Sequence, residues 1–183
     1  IPVRGDICEE DLSNIPDFDW FCFTPPCQAF SVAGERKGFE DTRGTLIYEA
    51  FRIIEKKKPK VLFMENVKGL VGHDDFQTLE VIITSLSELG YVSDYTVINS
   101  KLFGVGQNRE RVYLVAFRED LIKSSPWVID KTKTVLMNSK RKITENEVKT
   151  FNFDWPRQDE VISCISDILE DHVDSKYFLK PEH

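Results

Sequence analysis

Cys27 lies in the run Thr24-Pro25-Pro26-Cys27-Gln28-Ala29-Phe30-Ser31, directly after the apolar segment Phe18 to Phe23. A strand that ends in a rigid Pro-Pro corner presents the next side chain at the C-terminal edge of a sheet, where open α/β sheets bind ligands. Cys27 is therefore a candidate nucleophile, set against the alternative of a buried structural thiol. A second apolar run, Lys60 to Met64, delivers Glu65-Asn66-Val67 to the same edge. A carboxyl after such a run is partly desolvated, a setting in which an acid keeps a proton to donate. The competing reading is a solvated loop glutamate or a helix cap. Gln107-Asn108-Arg109-Glu110-Arg111 precedes a third apolar run. Arg109 and Arg111, two apart on extended chain, share one face and could both address an anion or a base edge, unless they form a salt-bridged surface pair.

These positions need a scaffold of alternating strands and helices. Asp19 to Thr24, Lys60 to Met64 and Val112 to Phe117 are short apolar runs of the kind buried on both faces of a parallel sheet, and Val92 to Ile98 predicts a further strand near one edge. Between them the spacing of Leu46, Ile47, Ala50, Phe51, Ile53 and Ile54 predicts a helix over Thr45 to Lys57, stopped by Pro59. Leu79, Ile82, Ile83, Leu86 and Leu89 predict a second, over Asp75 to Leu89, with Gly90 closing its end. Strands alternating with helices are the mark of βαβ units, so the fold class is α/β with a mostly parallel sheet flanked by helices. After Arg118 the pattern loses its period around Lys131, Lys133, Lys140, Arg141 and Lys142, before Ile162 to Glu170. Residues 119–183 accordingly read as a peripheral extension of a core at 1–118.

The chain's 183 residues, 41% hydrophobic and 30% charged, suit one globular domain with a real core. Cys8, Cys22, Cys27 and Cys164 show no CxxC or Cys/His metal spacing, and no signal segment or long apolar span is present. Reduced thiols and a cytoplasmic place are expected, with no membrane and no metal. The net charge of -7 argues against a free-standing nucleic-acid binder, so any phosphate contact must come from local basic clusters or another segment. Ile1-Pro2-Val3-Arg4-Gly5-Asp6-Ile7 reads as the middle of a protein, and a fragment, a processed chain or one part of a split protein is expected.

Taken in order, the Gly-Asp-Ile turn at Gly5, the Pro-Cys-Gln loop, the Glu-Asn-Val strand end and Gln107-x-Arg109-x-Arg111 resemble the DNA (cytosine-5)-methyltransferases, above all the compact bacterial enzymes of restriction-modification systems. The match runs from about Gly5 to Arg118, and the joining segments Gln28 to Gly34, Gly38 to Leu46 and Pro59 to Val67 fit it as well. One short motif is weak evidence; four in register with their linkers are strong.

The resemblance implies a Rossmann-like S-adenosylmethionine-dependent core, and it gives each residue a task. Carbon 5 of cytosine is a poor nucleophile until a thiolate adds to carbon 6 and turns the ring into an enamine. Cys27 would supply the thiolate. Glu65, protonated or sharing a proton with ring N3, would stabilise the charge pushed into the ring. Arg111, with Arg109, would hold the base carbonyl, the catalytic loop or a backbone phosphate. The target carbon is inaccessible inside a duplex, so the cytosine must be flipped out. The segment Gln28 to Thr45, with Gly34, Gly38, Gly44, Arg36, Lys37 and Arg43, suits a loop closing over double-stranded DNA; Gln28, Ser31, Arg43 and Gln107 are its expected DNA contacts.

S-adenosylmethionine is the implied methyl donor. Asp6 would meet the adenine amino group, Ile7 would pack on the ring, and Pro26 and Leu46 would line the methionine end. The family's Phe-x-Gly-x-Gly turn and its ribose-binding acid are absent, as is a target-recognition region. Thr24 and Pro25 stand where bacterial enzymes have Gly and Phe, although Pro-Pro-Cys occurs in eukaryotic relatives, and Gly106 stands for the common Pro. Little activity is therefore expected of this chain alone, with the missing segments or a complementary methyltransferase subunit as its partner. In a bacterial cell it would be nucleoid-associated. A transfer-RNA cytosine-5 methyltransferase and a non-catalytic regulator or scaffold are the rival classes.

Overall fold

The sheet is built from runs that place large side chains alternately on its two faces. The computed structural model describes residues 5–26, 46–157 and 174. In chain order these form β1 (Trp20–Phe23), α1 (Leu46–Lys57), β2 (Val61–Val67), α2 (Gln77–Glu88), β3 (Tyr91–Asn99), β4 (Glu110–Arg118) and α3 (Val135–Thr144). The chain divides into two compact units, Ile1–Ile98 with Glu110–Pro156, and Asn99–Arg109 with Arg157–His183.

All four predicted strands and both predicted helices form, and the class is α/β as expected. The strand order is β1-β2-β4-β3. The expected prevalence of parallel pairing does not hold among the described strands. β1 and β2 run parallel, Phe23 beside Met64, but β2 and β4 run antiparallel, Val61 opposite Phe117 and Val67 opposite Arg111. Apolar periodicity reports burial and carries no strand direction, so the sequence pattern could not tell the two apart.

Leu62 and Met64 of β2 and Val112, Leu114 and Ala116 of β4 are buried in one core cluster with Ile47, Phe51 and Ile54 of α1 and Leu79, Ile82 and Leu86 of α2. Each helix turns its apolar stripe to the same side of the sheet. The opposite side carries Phe63, Glu65, Tyr113 and Val115, of which only Val115 is buried.

Residues 119–157, whose lost periodicity points to a peripheral extension, contribute to this core. Trp127 and Ile143 are buried in the main cluster, and Phe151 joins Val92 and Val115 in a second. The lysine-rich stretch forms α3, capped by Thr134, whose hydroxyl accepts from the Met137 amide. Its hydrophobic pattern fails because a core-facing position is occupied by Lys140, buried against Asp94 at 2.6 Å.

The turns on either side of α2 carry left-handed backbone. Asp74, Asp75 and Phe76 take positive φ in succession before α2, held in part by a contact of 2.6 Å between His73 Nδ1 and Thr78 Oγ1. Gly90, at φ +84, ends α2 as anticipated; its amide donates to Ser87 and its carbonyl accepts from Glu119. A Cβ there would meet only ordinary contacts near 3.6 Å, so the backbone angle decides the outcome. Gly90→Ala is expected to cost about 1–2 kcal/mol, read as a lower midpoint in urea at unchanged m-value.

Candidate active site

Parallel pairing carries the exits of β1 and β2 to one edge of the sheet. Glu65 lies within β2, not after its end: the strand continues through Val67, with Glu65 opposite Tyr113 of β4. The run Val61 to Met64 extends because Glu65, Asn66 and Val67 find partners on β4. Arg111 is the diagonal neighbour of Glu65 on the same face, where long side chains of antiparallel strands meet. Its Nε lies 3.1 Å from Glu65 Oε1, both side chains being about three-quarters buried (21% and 27% exposed). Arg111 Nη1 donates to the Glu110 carbonyl at 2.9 Å, which fixes the guanidinium plane. Outside this pair, Lys68 Nζ contacts both Glu110 carboxylate oxygens, at 2.8 and 2.9 Å. Arg111 thus faces the Glu65 carboxylate, a pairing that the sequence reading did not anticipate.

Asn66 is the residue that the sequence pattern passes over. It points to the other face of the sheet, is buried, and donates from Nδ2 to the Pro25 carbonyl at 2.7 Å. Its Oδ1 accepts from the Val67 amide at 2.8 Å. The Pro-Pro corner is thereby fastened to the strand position next to Glu65. An Asn among apolar neighbours in a strand was the available signal, because a buried amide must find partners. Asn66→Ala would leave Pro25 unsatisfied and the corner untethered. The expected result is a loss of about 1–3 kcal/mol in stability, read as a lower midpoint in urea.

Of the expected cofactor residues, Asp6 sits in an exposed turn and its Oδ1 accepts from the Cys8 amide at 2.9 Å. That backbone hydrogen bond holds the Asp6 carboxyl below the usual carboxylate range, and the same carboxylate pushes the Cys8 thiol up. Arg52, another residue that sequence inspection did not select, carries this turn. It donates to the Ile7 carbonyl at 2.9 Å and the Glu10 carbonyl at 3.4 Å, and is itself held by Glu49 at 2.7 Å. Arg52 belongs to α1, whose first residue, Leu46, is 40% exposed. Pro26 is exposed beyond the buried Pro25. An acceptor carboxylate, a half-buried Ile7 and exposed Pro26 and Leu46 fit a ligand with an exocyclic amine and apolar parts.

Gln107 and Arg109 belong to the second unit. The Gln107 carbonyl accepts from Ser100 Oγ at 2.6 Å, and the Arg109 amide donates to Asn99 Oδ1 at 3.2 Å. Both residues are exposed. Cys27, Gln28, Ser31 and Arg43 lie outside the described residues. No group of three or more His, Cys, Asp or Glu able to hold a metal occurs among the described residues, nor does a helix long and apolar enough to cross a membrane.

Residues 2–183 match the family model for C-5 cytosine-specific DNA methylase. Orphan methyltransferase M.SPRI of Bacillus phage SPR is 46% identical over 179 residues, covering 97% of this chain and 41% of that protein. Type II methyltransferase M.HhaI of Haemophilus parahaemolyticus is 50% identical over 118 residues, 64% of this chain and 36% of its own length. The chain thus spans about two fifths of the length of these relatives. Among solved structures, a DNMT2 variant of Spodoptera frugiperda superposes with a TM-score of 0.59 at 22% identity, covering 95% of this chain and 46% of that one. The Dnmt2 methyltransferase of S. pombe does so with 0.57 at 18%, covering 98% and 48%. Both likenesses concern the fold.

Proposed function

Because the chain belongs to the C-5 cytosine-specific DNA methylase family, we propose that it carries the catalytic centre of an enzyme that methylates carbon 5 of a flipped-out cytosine in double-stranded DNA. The observation that supports this reading is the Asn66 bond to the Pro25 carbonyl, which fastens the Pro-Pro corner to the strand position next to Glu65, itself paired with Arg111. The Cys27 thiolate adds to carbon 6 of the base. Glu65 holds a proton at ring N3 and so stabilises the charge that the addition creates. Arg111 orients the Glu65 carboxyl and offers its remaining N–H groups to the base carbonyl, with Arg109 and Gln107 addressing DNA from the adjoining segment. S-adenosylmethionine, when bound, supplies an electrophilic methyl group for carbon 5. Asp6 would accept from its adenine amine, Ile7 would pack on the ring, and Pro26 and Leu46 would line the methionine end. After the transfer, loss of the carbon 5 proton lets the Cys27 sulfur leave by elimination.

Gln28, Ser31 and Arg43 are proposed to contact DNA as the loop after Cys27 closes. Residues 1–118 form the central part of the catalytic domain, and 119–183 lead toward a target-recognition region while adding Trp127 and Ile143 to the core. A complementary methyltransferase segment completes the cofactor pocket, and the 183-residue polypeptide alone transfers little methyl. Exposed free thiols at Cys8 and Cys22 suit the reducing cytoplasm, close to the nucleoid.

The test is DNA carrying 5-fluorocytosine, whose carbon 5 cannot lose a proton. The assembled enzyme with S-adenosylmethionine is expected to give a covalent complex, mapped by mass spectrometry to Cys27. Active enzyme without this adduct, or methylation of transfer RNA in preference to DNA, overturns the assignment.

A further inference from the structure

Arg52 commits every nitrogen of its guanidinium. Nε donates to Glu49 Oε2 at 2.7 Å, Nη2 to the Ile7 carbonyl at 2.9 Å and the Glu10 carbonyl at 3.5 Å, and Nη1 to the Glu10 carbonyl at 3.4 Å. Glu49 and Arg52 stand one turn apart on α1, 18% and 39% exposed at their side chains, so the helix orients the fork and the fork holds the turn. Within the turn the bonds are local: the Cys8 amide donates to Asp6 Oδ1 at 2.9 Å and the Glu9 amide to the Asp6 carbonyl at 3.1 Å. Those bonds fix its shape and not its place. No residue from Gly5 to Glu10 is buried, so apolar packing does little to anchor it.

We propose that Arg52 is a positioning residue for the methyl donor, which it does not itself touch: by fixing the Ile7 and Glu10 carbonyls to α1 it aims the Asp6 carboxylate at an exocyclic amine, and so sets the preference for adenine over a purine that carries a carbonyl in the same place. The identity of the ligand rests on the function proposed above; the tether rests on the guanidinium fork. Because α1 begins at Leu46, the residue assigned to the methionine end, one helix governs both ends of the site. A planar fork can bond two carbonyls and a carboxylate at once, whereas a lysine ammonium is a point charge without that geometry. Once Asp6 loses its alignment, a carbonyl on the ligand is no longer rejected, because such discrimination comes from a polar group left facing the wrong partner.

Cys8 reports on the turn without any ligand, since the Asp6 carboxylate accepts from its thiol and pushes that thiol up. In the 183-residue chain, Arg52→Lys and Arg52→Gln are expected to speed alkylation of Cys8 by about two- to fivefold, followed by mass spectrometry, with exposed Cys22 as the reference changed by less than about 1.5-fold. Loss of a nearby positive charge alone acts in the opposite sense and slows Cys8 in Arg52→Gln. An unchanged or slower rate therefore overturns the tether. In the assembled enzyme, equilibrium dialysis compares S-adenosylhomocysteine with S-inosylhomocysteine, its analogue with a carbonyl in place of the amine. The unchanged enzyme is expected to prefer the amine by at least about tenfold, and Arg52→Lys to bring that preference below about threefold. Glu49→Gln, which loosens the fork from α1 and keeps both carbonyl bonds, is expected to move both readouts in the same direction by less. Equal weakening of the two analogues, with the preference kept, means that Arg52 only supports the fold; it overturns the proposal and leaves the cofactor site standing. No preference in the unchanged enzyme removes the adenine assignment of Asp6, and the proposal with it, even where Cys8 reacts faster.

Discussion

Cys27→Ala in the assembled enzyme is expected to abolish methyl incorporation, a loss of at least about 10⁴-fold, while DNA binding changes by less than about twofold. The size follows from the order of events. In the proposed mechanism the ring never becomes an enamine without addition at carbon 6, so no other group would compensate. Glu65→Gln is expected to lose less, about 10²–10⁴-fold, because in the proposed mechanism it would remove proton transfer and charge stabilisation but leave the covalent step available. It also replaces the charged partner of Arg111 at 3.1 Å with a neutral amide, so some of the loss is misorientation of the guanidinium. Single-turnover methyl transfer separates the two variants. Fluorocytosine trapping should fail entirely for Cys27→Ala and persist, slowed, for Glu65→Gln. Turnover by Cys27→Ala removes the cysteine from the mechanism.

The candidate residues of this site can be picked out in the sequence because their signals are local. A thiol after Pro-Pro, an acid after an apolar run and two arginines at alternate positions can each be recognised without knowing what pairs with what. The parallel register of Phe23 with Met64 then brings the two exits to one edge, as α/β patterning requires. The tethers made by Asn66 and Arg52 were not legible for the opposite reason. Each works through a backbone carbonyl far away in sequence, Pro25 for one and Ile7 for the other. No feature of a carbonyl marks it out in a sequence. The antiparallel course of β4 was hidden too, since Val112 to Phe117 is equally apolar in either direction.

The region after Arg118 shows how a single polar side chain can conceal a core. Lys140 interrupts the apolar period of α3, yet it is one of the most enclosed charges among the described residues. Its Nζ lies 2.6 Å from Asp94 Oδ1 and about 5 Å from the ring centres of Tyr95 and Trp127 (5.2 and 5.1 Å). Tyr95 in turn shares a hydrogen bond with Ser139 of α3 at 2.7 Å, and burial pushes its phenol well above the usual range. A lysine whose stem packs on two aromatic rings behaves in packing as a large apolar residue with a charged tip.

Asp94 is accordingly expected to be the most sensitive position for stability. Beyond Lys140, its Oδ2 accepts from the Phe153 amide at 3.0 Å and from Trp155 Nε1 at 2.8 Å, so one carboxylate ties β3 to both α3 and the strap that follows. Its side chain is 3% exposed and that of Lys140 is 7% exposed, which places the pair where a lone charge is costly. Asp94→Ala strands the ammonium and orphans two donors; the expected loss is about 3–5 kcal/mol, a large share of the roughly 5–15 kcal/mol that holds a typical domain together. Lys140→Met strands the carboxylate instead, but leaves its two donors in place, and should cost less. Combining Asp94→Asn with Lys140→Met removes both charges and keeps an acceptor for Phe153 and Trp155. The pair should therefore be less destabilised than the sum of its single variants, with a coupling of about 1–3 kcal/mol in urea unfolding. Additive losses would mean that each group acts through packing alone, and that α3 is held to β3 by its apolar contacts without help from the ion pair.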